Sequence, residues 1–335
     1  MPPGRNPIRG NSYKLADYLR TDAHRLRRLA PVDPGLRELQ VLVRLRDDHV
    51  RARTAASNQL MAMLDAYWPG PRQLFVSLIS PIALSFLTDY PTPAGAGHLA
   101  EARMAAFLRR HHCRGGKTPA ELVARLRAAP VAPAGLPTAT LAAMVTTQVQ
   151  LLRTLQQLIS DTERLIAARV VAYPRTRMLA DLPGVGMINL AQLLAEVCPI
   201  LDRIDSAEQA ATECGAAPVT RASGKTSGVY FRWAANTRAR KAITSFAHNA
   251  RLQDSWAAKL YADARARGKR HPHATRIVAR AWLRIIWACW TTQQPYDPSR
   301  HRNIHVLIPA GSSTASQPRR RAGAVKVEHP TAERP

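Results

Sequence analysis

The sequence predicts a mainly α-helical protein, and three observations support that fold class. Two long stretches, residues 36–68 and 141–166, contain no Gly or Pro and repeat apolar residues at helical spacing. A third stretch, residues 276–290, separates arginines from apolar residues as an amphipathic helix does. These patterns indicate a helical hairpin or coiled-coil region followed by a second helical region.

The chain divides by composition into four segments. Residues 1–30 are basic and predict a linker, and residues 31–172 predict the helical coiled-coil region. After Tyr173 the sequence pattern changes to predicted turns and short helices with concentrated arginine. This change indicates a separate domain over residues 173–300. Residues 301–335 have too little apolar surface to offset the entropy of ordering, so they predict a disordered basic tail.

The charge of the chain indicates an anionic partner. It has 48 Lys and Arg against 23 Asp and Glu, a formal net charge of +25. The excess is concentrated, because residues 215–290 hold fifteen Lys and Arg against two Asp. Such a surplus repels itself unless phosphates or other anions lie nearby, and nucleic acid is the natural partner. The alternative is a generally arginine-rich composition without functional meaning.

A heptad seam runs along the second long stretch. Its two adjacent apolar columns are Met144, Leu151, Leu158 and Leu165, and Val145, Leu152, Ile159 and Ile166. A seam of this kind needs a partner, either the helix over residues 36–68 folded back or the same helix of another protomer. An ordinary core helix explains the columns equally well. A homo-oligomer is among the partners that we expect, with these alternatives open.

The segment LPGVG, residues 182–186, precedes the helical run INLAQLLAEV. A Pro-Gly-Val-Gly turn of this kind resembles the hairpin of a helix-hairpin-helix module, in which glycines leave backbone N–H groups free to meet a phosphate. Gly184 and Gly186 are therefore candidate nucleic-acid contacts. A plain loop with glycine at positive φ explains them as well.

The segment GAAPVTRASGKTSG, residues 215–228, contains the letters GKT but not a nucleotide-binding P-loop. That motif requires a glycine where Val219 stands. What remains is a small-residue loop in which Ser223 lies between Arg221 and Lys225, surroundings where a hydroxyl could meet a phosphodiester. A serine needs a base or a metal to take its proton, and carboxylates are scarce nearby. By these residues alone, a turn residue is as good an interpretation.

The helix RIVARAWLRIIWACW spaces three arginines by four residues along one face. They could follow a phosphate backbone, or they could lie on an ordinary solvated face. His271 and His273 are predicted to lie in a connector before this helix and not to bind a metal. The cationic candidates for nucleic-acid binding are Arg221, Lys225, Arg232, Arg238, Arg240, Lys241, Arg276, Arg280 and Arg284.

The sequence carries no signal for export, membrane insertion or metal binding. The four cysteines lack a CxxC pair, so neither a zinc site nor a disulfide framework is indicated. The first ten residues have no apolar core of a signal peptide, and the most apolar run, residues 187–201, is short and interrupted. We expect a cytoplasmic protein with no membrane partner and no metal of its own.

Several segments together resemble the insertion-sequence 110 family of DEDD-type transposases, the bridge-RNA-guided recombinases. The resemblance extends from residue 12 to residue 301. It rests on these segments in order: SYKLADYLRTDAHRLR, NQLMAMLDAYWPG, SPIALSFLTDYPTP, LPGVG with LAQLLAEV, APVTRASGKTSGVYFRWAANTRARKAITSFAHNAR and SWAAKLYADARARGKRHPHATRIVARAWLRIIW.

The resemblance implies a two-part enzyme that recombines DNA. An N-terminal RuvC-like α/β domain would hold Mg²⁺ on four acidic residues, and a coiled-coil region would follow it. A C-terminal domain would supply a serine that forms a covalent link to DNA, while a structured bridge RNA pairs with donor and target. Under this resemblance Ser223 takes the nucleophile position, and the partners are DNA and the guide RNA.

The sequence departs from this pattern at its beginning. The RuvC-like domain is not found, and Ile8 and Asn11 stand where the family's last two acidic residues belong. We therefore expect an N-terminally truncated transposase that is catalytically incomplete alone. The alternative is a non-catalytic DNA- or RNA-binding protein that pairs with or modulates a full-length transposase.

Overall fold

A computed structural model of the chain describes residues 7–25, 31–113, 115–131, 135, 137–223 and 226–300. Helices dominate, and within these residues the sheet structure is limited to one two-stranded hairpin. The mainly α-helical fold class is therefore confirmed. The predicted tail over residues 301–335 lies outside the described residues.

Among the described residues, the N-terminal part has eight α-helices, two of them long, and a short 3₁₀ helix, Ala23–Arg25. Their bounds are α1 Pro7–Asp22, α2 Pro34–Tyr67, α3 Gly70–Leu74, α4 Pro81–Asp89, α5 Pro93–Ala96, α6 Glu101–Arg110, α7 Pro119–Ala128 and α8 Thr138–Ala172. Asp33 caps α2 by accepting a hydrogen bond from the Leu36 amide, and Pro34 lies in the first turn, where its missing N–H costs nothing.

Helices α2 and α8 pack along each other as a hairpin. The alternative in which the earlier long helix folds back on the seam is therefore the one observed. Only one of the two heptad columns is used for this contact. Val145, Leu152, Ile159 and Ile166 are at most 5% exposed, whereas Met144, Leu151, Leu158 and Leu165 are 39–56% exposed. The second column is left facing outward.

Two apolar cores lie at opposite ends of the helical hairpin. The distal core packs the C-terminal part of α2 and the N-terminal half of α8 against α3–α7, with Phe86 in contact with Phe75, Tyr90 and Phe107. The proximal core joins the open end of the hairpin to the C-terminal helices, so that Leu36 and Val170 share a cluster with residues such as Trp282.

The C-terminal part begins after α8 with a 3₁₀ helix, Pro174–Met178. Its remaining elements are α9 Met187–Gln192, a π-helical turn Leu193–Val197, α10 Cys198–Leu201, α11 Ala207–Glu213, strands β1 Val219–Ser223 and β2 Thr226–Tyr230, α12 Thr237–Ala250, α13 Ser255–Ala266, α14 His271–Thr292 and a 3₁₀ turn Pro298–Arg300. The predicted domain boundary at residue 173 coincides with the end of α8 and stays a prediction, because the proximal core includes residues from both sides of it.

Helix α2 holds the π-helical turn in place through two polar contacts. Gln40 Nε2 donates to the Ala195 carbonyl at 2.8 Å. The Arg44 guanidinium meets both oxygens of Glu196, at 2.8 and 2.9 Å, and the Glu196 side chain is almost fully buried. These contacts fix the helical hairpin against the C-terminal part, since a buried carboxylate must keep its cation.

Candidate nucleic-acid interface

The segment around Ser223 forms a β-hairpin, so the predicted small-residue loop over residues 215–228 is wrong. Strands β1 and β2 pair antiparallel, with Val219 opposite Tyr230 and Ser223 opposite Thr226. The β-branched and aromatic residues on both sides of a short Gly-Lys segment favour strands. Ser223 is the last residue of β1, and its neighbour Lys225 lies outside the described residues.

The hairpin projects from the protein with its described side chains largely in solvent. Residues 220–223 of β1 and Val229 and Tyr230 of β2 are exposed. The Tyr230 ring lies over Gly228, and the Arg221 guanidinium is 5.7 Å from the centre of that ring. Because a lone two-stranded hairpin is marginally stable in water, contacts at its base must help to hold it.

A cavity of about 600 Å³ lies between the base of the hairpin and α14. Four of its lining residues are cationic: Arg232, Arg276, Arg280 and Arg284. Its apolar lining residues include Val229, Leu260, Ile277 and Ala281. The structure therefore brings four of the predicted cationic residues together around one space, with Ser223 at the far end of the same hairpin.

Arg240 braces the base of the hairpin. Its Nη2 donates to the carbonyl of Arg232 at 2.6 Å, and its guanidinium lies 4.6 Å from the centre of the Phe231 ring. The same guanidinium packs against the backbone of Gly215, whose φ is +64°. Gly215 is therefore required both for its left-handed backbone and for the space that Arg240 fills.

Arg276 lies against the same aromatic ring. Its guanidinium is 4.7 Å from the centre of the Phe231 ring, so Phe231 contacts two cations. Partial burial, and then the nearby charge of Arg240, lower the pKa of Arg276 from its ordinary value. Within the described part of the chain, none of the acidic groups forms an ion pair with Arg232, Arg240 or Arg276. These three arginines therefore form a cationic group without a counterion from those residues.

The other two arginines of the α14 stripe have a counterion. Arg280 Nη2 and Arg284 Nη2 each lie 2.6 Å from one oxygen of Glu208 on α11. The hydrogen bonds from Arg284 and Arg280 lower the pKa of the Glu208 carboxyl. The predicted stripe is thus partly neutralised, and Arg276 is its uncompensated member.

The remaining cationic candidates lie on α12, away from the cavity. Asn236 caps this helix by accepting hydrogen bonds from the amides of Arg238 and Ala239. Arg238 is exposed in the first turn. Lys241 Nζ is 2.7 Å from Asp47 of α2, so it links the C-terminal part to the helical hairpin.

The LPGVG turn follows a 3₁₀ helix and leads into α9. Gly184 has φ +69°, and a Cβ at this position would lie 3.1 Å from the Asn249 carbonyl oxygen. Gly186 caps α9, and the space where its Cβ would point is open. The close approach that Gly184 permits is thus to α12 of the same chain, whereas Gly186 leaves room for a partner.

Sequence reasoning missed several residues of this site. Phe231 and Gly215 line the cavity, and Glu208 pairs with two of its arginines, but none of the three was among the predicted site residues. A second cavity of about 450 Å³ is lined by Arg240 and His248, and it shares Phe231 and Arg276 with the first.

The prediction that His271 and His273 lie in a connector is wrong, because α14 begins at His271 with Pro272 in its first turn. The adjacent letters YFRW were the only sequence signal for an aromatic and cationic site.

Two further features bear on the proposed chemistry. Among the described residues, none of the His, Cys, Asp and Glu side chains come together in groups of three or more that could hold a metal ion. No helix in the same part of the chain is long and apolar enough to cross a membrane.

Two family models match the chain. One, described as the transposase family IS116/IS110/IS902, matches residues 176–262, which include the hairpin and α12. The other, described as a transposase, matches residues 9–69. The regions matched thus cover α2 of the helical hairpin and the β-hairpin side of the candidate interface, but not α14.

Proteins of several insertion elements are similar over most of the chain. The IS117 mini-circle protein of Streptomyces coelicolor is 30% identical over 309 residues, 87% of this chain and 72% of the relative. The 42 kDa protein of IS900 from Mycobacterium paratuberculosis is 30% identical over 85% of this chain and 71% of its own length. The 44.8 kDa protein of IS116 from Streptomyces clavuligerus is 28% identical over 83% and 70%.

Fold, interface and similarity together define a transposase of an insertion sequence, and DNA is therefore its class of substrate. The chain belongs to the IS116/IS110/IS902 family of transposases.

Proposed function

We propose that this chain supplies the serine-bearing part of a DNA strand-transfer reaction, with Ser223 as the nucleophile. The observation that carries the proposal is the position of Ser223 at the exposed end of a hairpin whose base borders a cationic cavity. Arginines at that base can hold a phosphate backbone while the hydroxyl reaches a neighbouring phosphodiester. We also propose that this reaction takes place in the cytoplasm.

The proposed step is a transesterification that needs no external reagent. Ser223 Oγ forms a bond to phosphorus and loses its proton, while the bond from phosphorus to one sugar oxygen breaks and that oxygen gains a proton. The energy of the broken phosphodiester is kept in the new phosphoserine link, so a second strand end can reverse it. The residues of this chain contribute by holding the backbone and presenting the hydroxyl.

The family resemblance implies Mg²⁺, but the described donor set does not fit it. Mg²⁺ prefers carboxylate oxygens, and Ile8 and Asn11 occupy two positions where the resemblance places acidic residues. The described residues offer no cluster of donors for a metal. We therefore propose that the described residues do not hold Mg²⁺ by themselves and that strand transfer depends on carboxylates outside them.

An excision and recombination assay tests this function. The purified chain is incubated with the element's DNA ends and its transcribed non-coding RNA, alone and with a family member that carries the acidic residues. We expect recombinant products only in the mixture, and their loss when Ser223→Ala replaces the wild-type chain. Robust products from the chain alone would contradict the proposal, because the chain would then need no additional carboxylates.

Recognition of a structured guide RNA is part of the same proposal. The cationic surface has no described feature that reads base edges, and phosphate contacts alone carry no sequence information. A pairing RNA would supply that information. Filter binding with the element's RNA and a scrambled RNA of equal length tests this, and equal affinity for both would contradict it.

A second candidate function is supported by the exposed heptad column of α8. Met144, Leu151, Leu158 and Leu165 form an apolar stripe that the helical hairpin does not cover. A second copy of α8, from this chain or from a full-length relative, has the same spacing and fits this stripe. The chain would then act as a non-catalytic partner that modulates an intact transposase. Under this function Ser223→Ala would leave its effect on the relative unchanged.

A further inference from the structure

The three arginines at the base of the hairpin, Arg232, Arg240 and Arg276, lie close enough for their like charges to repel one another. Arg240 and Arg276 contact one ring, Phe231, and each raises the energy of the other's charge. Arg232 lies beside them, and its Nε is buried without a hydrogen-bond acceptor in the structure. Nε of Arg240 is also buried without a hydrogen-bond acceptor. Like charges held together in partly buried positions indicate that an anion completes the site.

The shape of the cavity selects the kind of anion. A space of about 600 Å³ is large enough for a nucleotide and its phosphates but too small for the width of a duplex. Its apolar lining residues, such as Val229, Leu260 and Ile277, suit a base or sugar, and its lining arginines suit a phosphate. An unpaired strand presents both groups together, whereas a duplex presents only its backbone.

The cavity is separated from the nucleophile by the length of the hairpin. Val219 and Tyr230 lie at its base, and four residue steps lead from Val219 to Ser223. At about 3.3 Å per residue this is about 13 Å. One strand advances about 3.4 Å per nucleotide in a helix, so the cavity lies about four nucleotides from the serine, or fewer if the strand is extended.

We propose that the cavity between the hairpin base and α14 binds one nucleotide of an unpaired strand, with its phosphate held by Arg232 and Arg276. This inference rests on the proposed function, because the strand is an unpaired part of the DNA that Ser223 attacks or of the guide RNA. The site anchors that strand a few nucleotides from the reacting phosphate. Arg232 and Arg276 are therefore positioning residues and do not touch the reacting atoms.

Fluorescence anisotropy with a labelled twelve-nucleotide strand tests the site, using DNA and RNA of one sequence and a blunt DNA duplex. The variants are Arg276→Gln, Arg276→Lys and Arg232→Gln. Arg125→Gln on α7 is the control for the loss of one positive charge, since Arg125 is exposed outside the cavity and, among the described residues, also has no ion pair. Binding is measured over a series of salt concentrations, and each variant's melting temperature is measured without nucleic acid.

Arg276→Gln and Arg232→Gln should each weaken single-strand binding roughly tenfold and reduce the slope of log affinity against log salt by about 0.7. Arg276→Lys should keep the slope, because it keeps the charge. Arg125→Gln should leave both quantities unchanged. Arg276→Gln should also keep or raise the melting temperature, because it removes repulsion from Arg240; a purely structural arginine would lower it.

The arms of the experiment separate the failures. If the wild-type chain binds no polynucleotide at low salt, the proposed function fails with the site. If it binds but the Arg276 and Arg232 variants bind equally well, only the cavity proposal fails. If the variants lost as much affinity for the blunt duplex as for the single strand, the cavity proposal would also be overturned. The arginines would then contact the backbone of a duplex that lies outside the cavity. The strand type with the larger loss, DNA or RNA, identifies the natural source of the nucleotide.

Discussion

The guanidinium of Arg240 occupies the space where a side chain of Gly215 would lie. A Cβ built on Gly215 would be 2.4 Å from Nη2 of Arg240. The same Nη2 donates to the carbonyl of Arg232, at the foot of the hairpin. One glycine thus allows an arginine from α12 to brace the strand that leads away from Ser223.

Replacing this glycine should disturb both stability and binding. Gly215→Ala would force an L side chain to φ +64° and displace Arg240, so the free energy of unfolding should fall by about 1 kcal/mol or more. Denaturant titration measures this, and binding of a single strand should weaken in parallel. Gly116→Ala is the control, because a Cβ there meets nothing within 4 Å and its φ is not positive. Equal stability of the two variants would contradict the bracing role.

Glu208 should weaken nucleic-acid binding, since its carboxylate neutralises part of the arginine stripe. Glu208→Gln frees Arg280 and Arg284 and should tighten binding at low salt, with a steeper salt dependence. The loss of stability should be small, because the pair is substantially exposed. Glu101→Gln in the first turn of α6 serves as the control for the change in net charge. Weaker binding by Glu208→Gln would mean that the stripe needs this carboxylate to keep its geometry.

The contact of Arg44 with Glu196 should be essential for the joint between the two parts. Arg44→Ala leaves a nearly fully buried carboxylate without its cation, and the cost should be about 3 kcal/mol. The double variant Arg44→Met with Glu196→Leu should recover much of that loss, because no charge is then buried. Thermal unfolding of the three proteins measures this difference. A double variant as unstable as Arg44→Ala would contradict the explanation.

The outward column of α8 should control the oligomeric state. Leu151→Glu with Leu158→Glu should convert an oligomer to a monomer without lowering the melting temperature of the monomer, because both residues are exposed. Light scattering after size exclusion measures the mass. Leu152→Glu is the contrast, since Leu152 is buried against α2 and its replacement should unfold the helical hairpin. A wild-type chain that is already monomeric would remove the basis for the pairing function.

Binding at the cavity should depend on pH through His273, which is one of its lining residues. Burial, and then the charges of Arg276 and Lys269, lower its pKa from the ordinary 6.5, so it is neutral in the free protein at pH 7. A bound phosphate favours the protonated ring and raises that pKa. Affinity should therefore increase as the pH falls from 8 through 6, by up to about tenfold. His273→Asn should remove this increase while the dependence on salt persists.

The sequence was sufficient for the elements that repeat. The apolar spacing of residues 36–68 and 141–166 predicts α2 and α8 to within a few residues, because long amphipathic helices without Gly or Pro have few alternatives. The same spacing could not choose which column of the seam is buried. Val145 and Met144 are neighbours with similar hydrophobicity, and only the position of α2 makes one of them core and the other surface.

The candidate site was predicted as a set of residues but not as an arrangement. The cationic side chains come from a hairpin and from α14, and nothing in their spacing shows that they meet around Phe231. The compensation of Arg280 and Arg284 by Glu208 was equally hidden, because that pairing spans more than seventy residues. The glycines and small residues around Ser223 predict a loop. The β-branched residues of the same segment form the strands instead.

The most direct test of the central claim is to map a covalent link between protein and DNA. The chain is incubated with DNA ends, guide RNA and a family member that carries the acidic residues, then digested and analysed by mass spectrometry. We predict a nucleotide adduct on the peptide containing Ser223, present in the mixture and absent from the chain alone. An adduct at another residue of this chain would contradict the proposed role of this serine, and one formed on Ser223 without the second protein would contradict the proposed need for additional carboxylates.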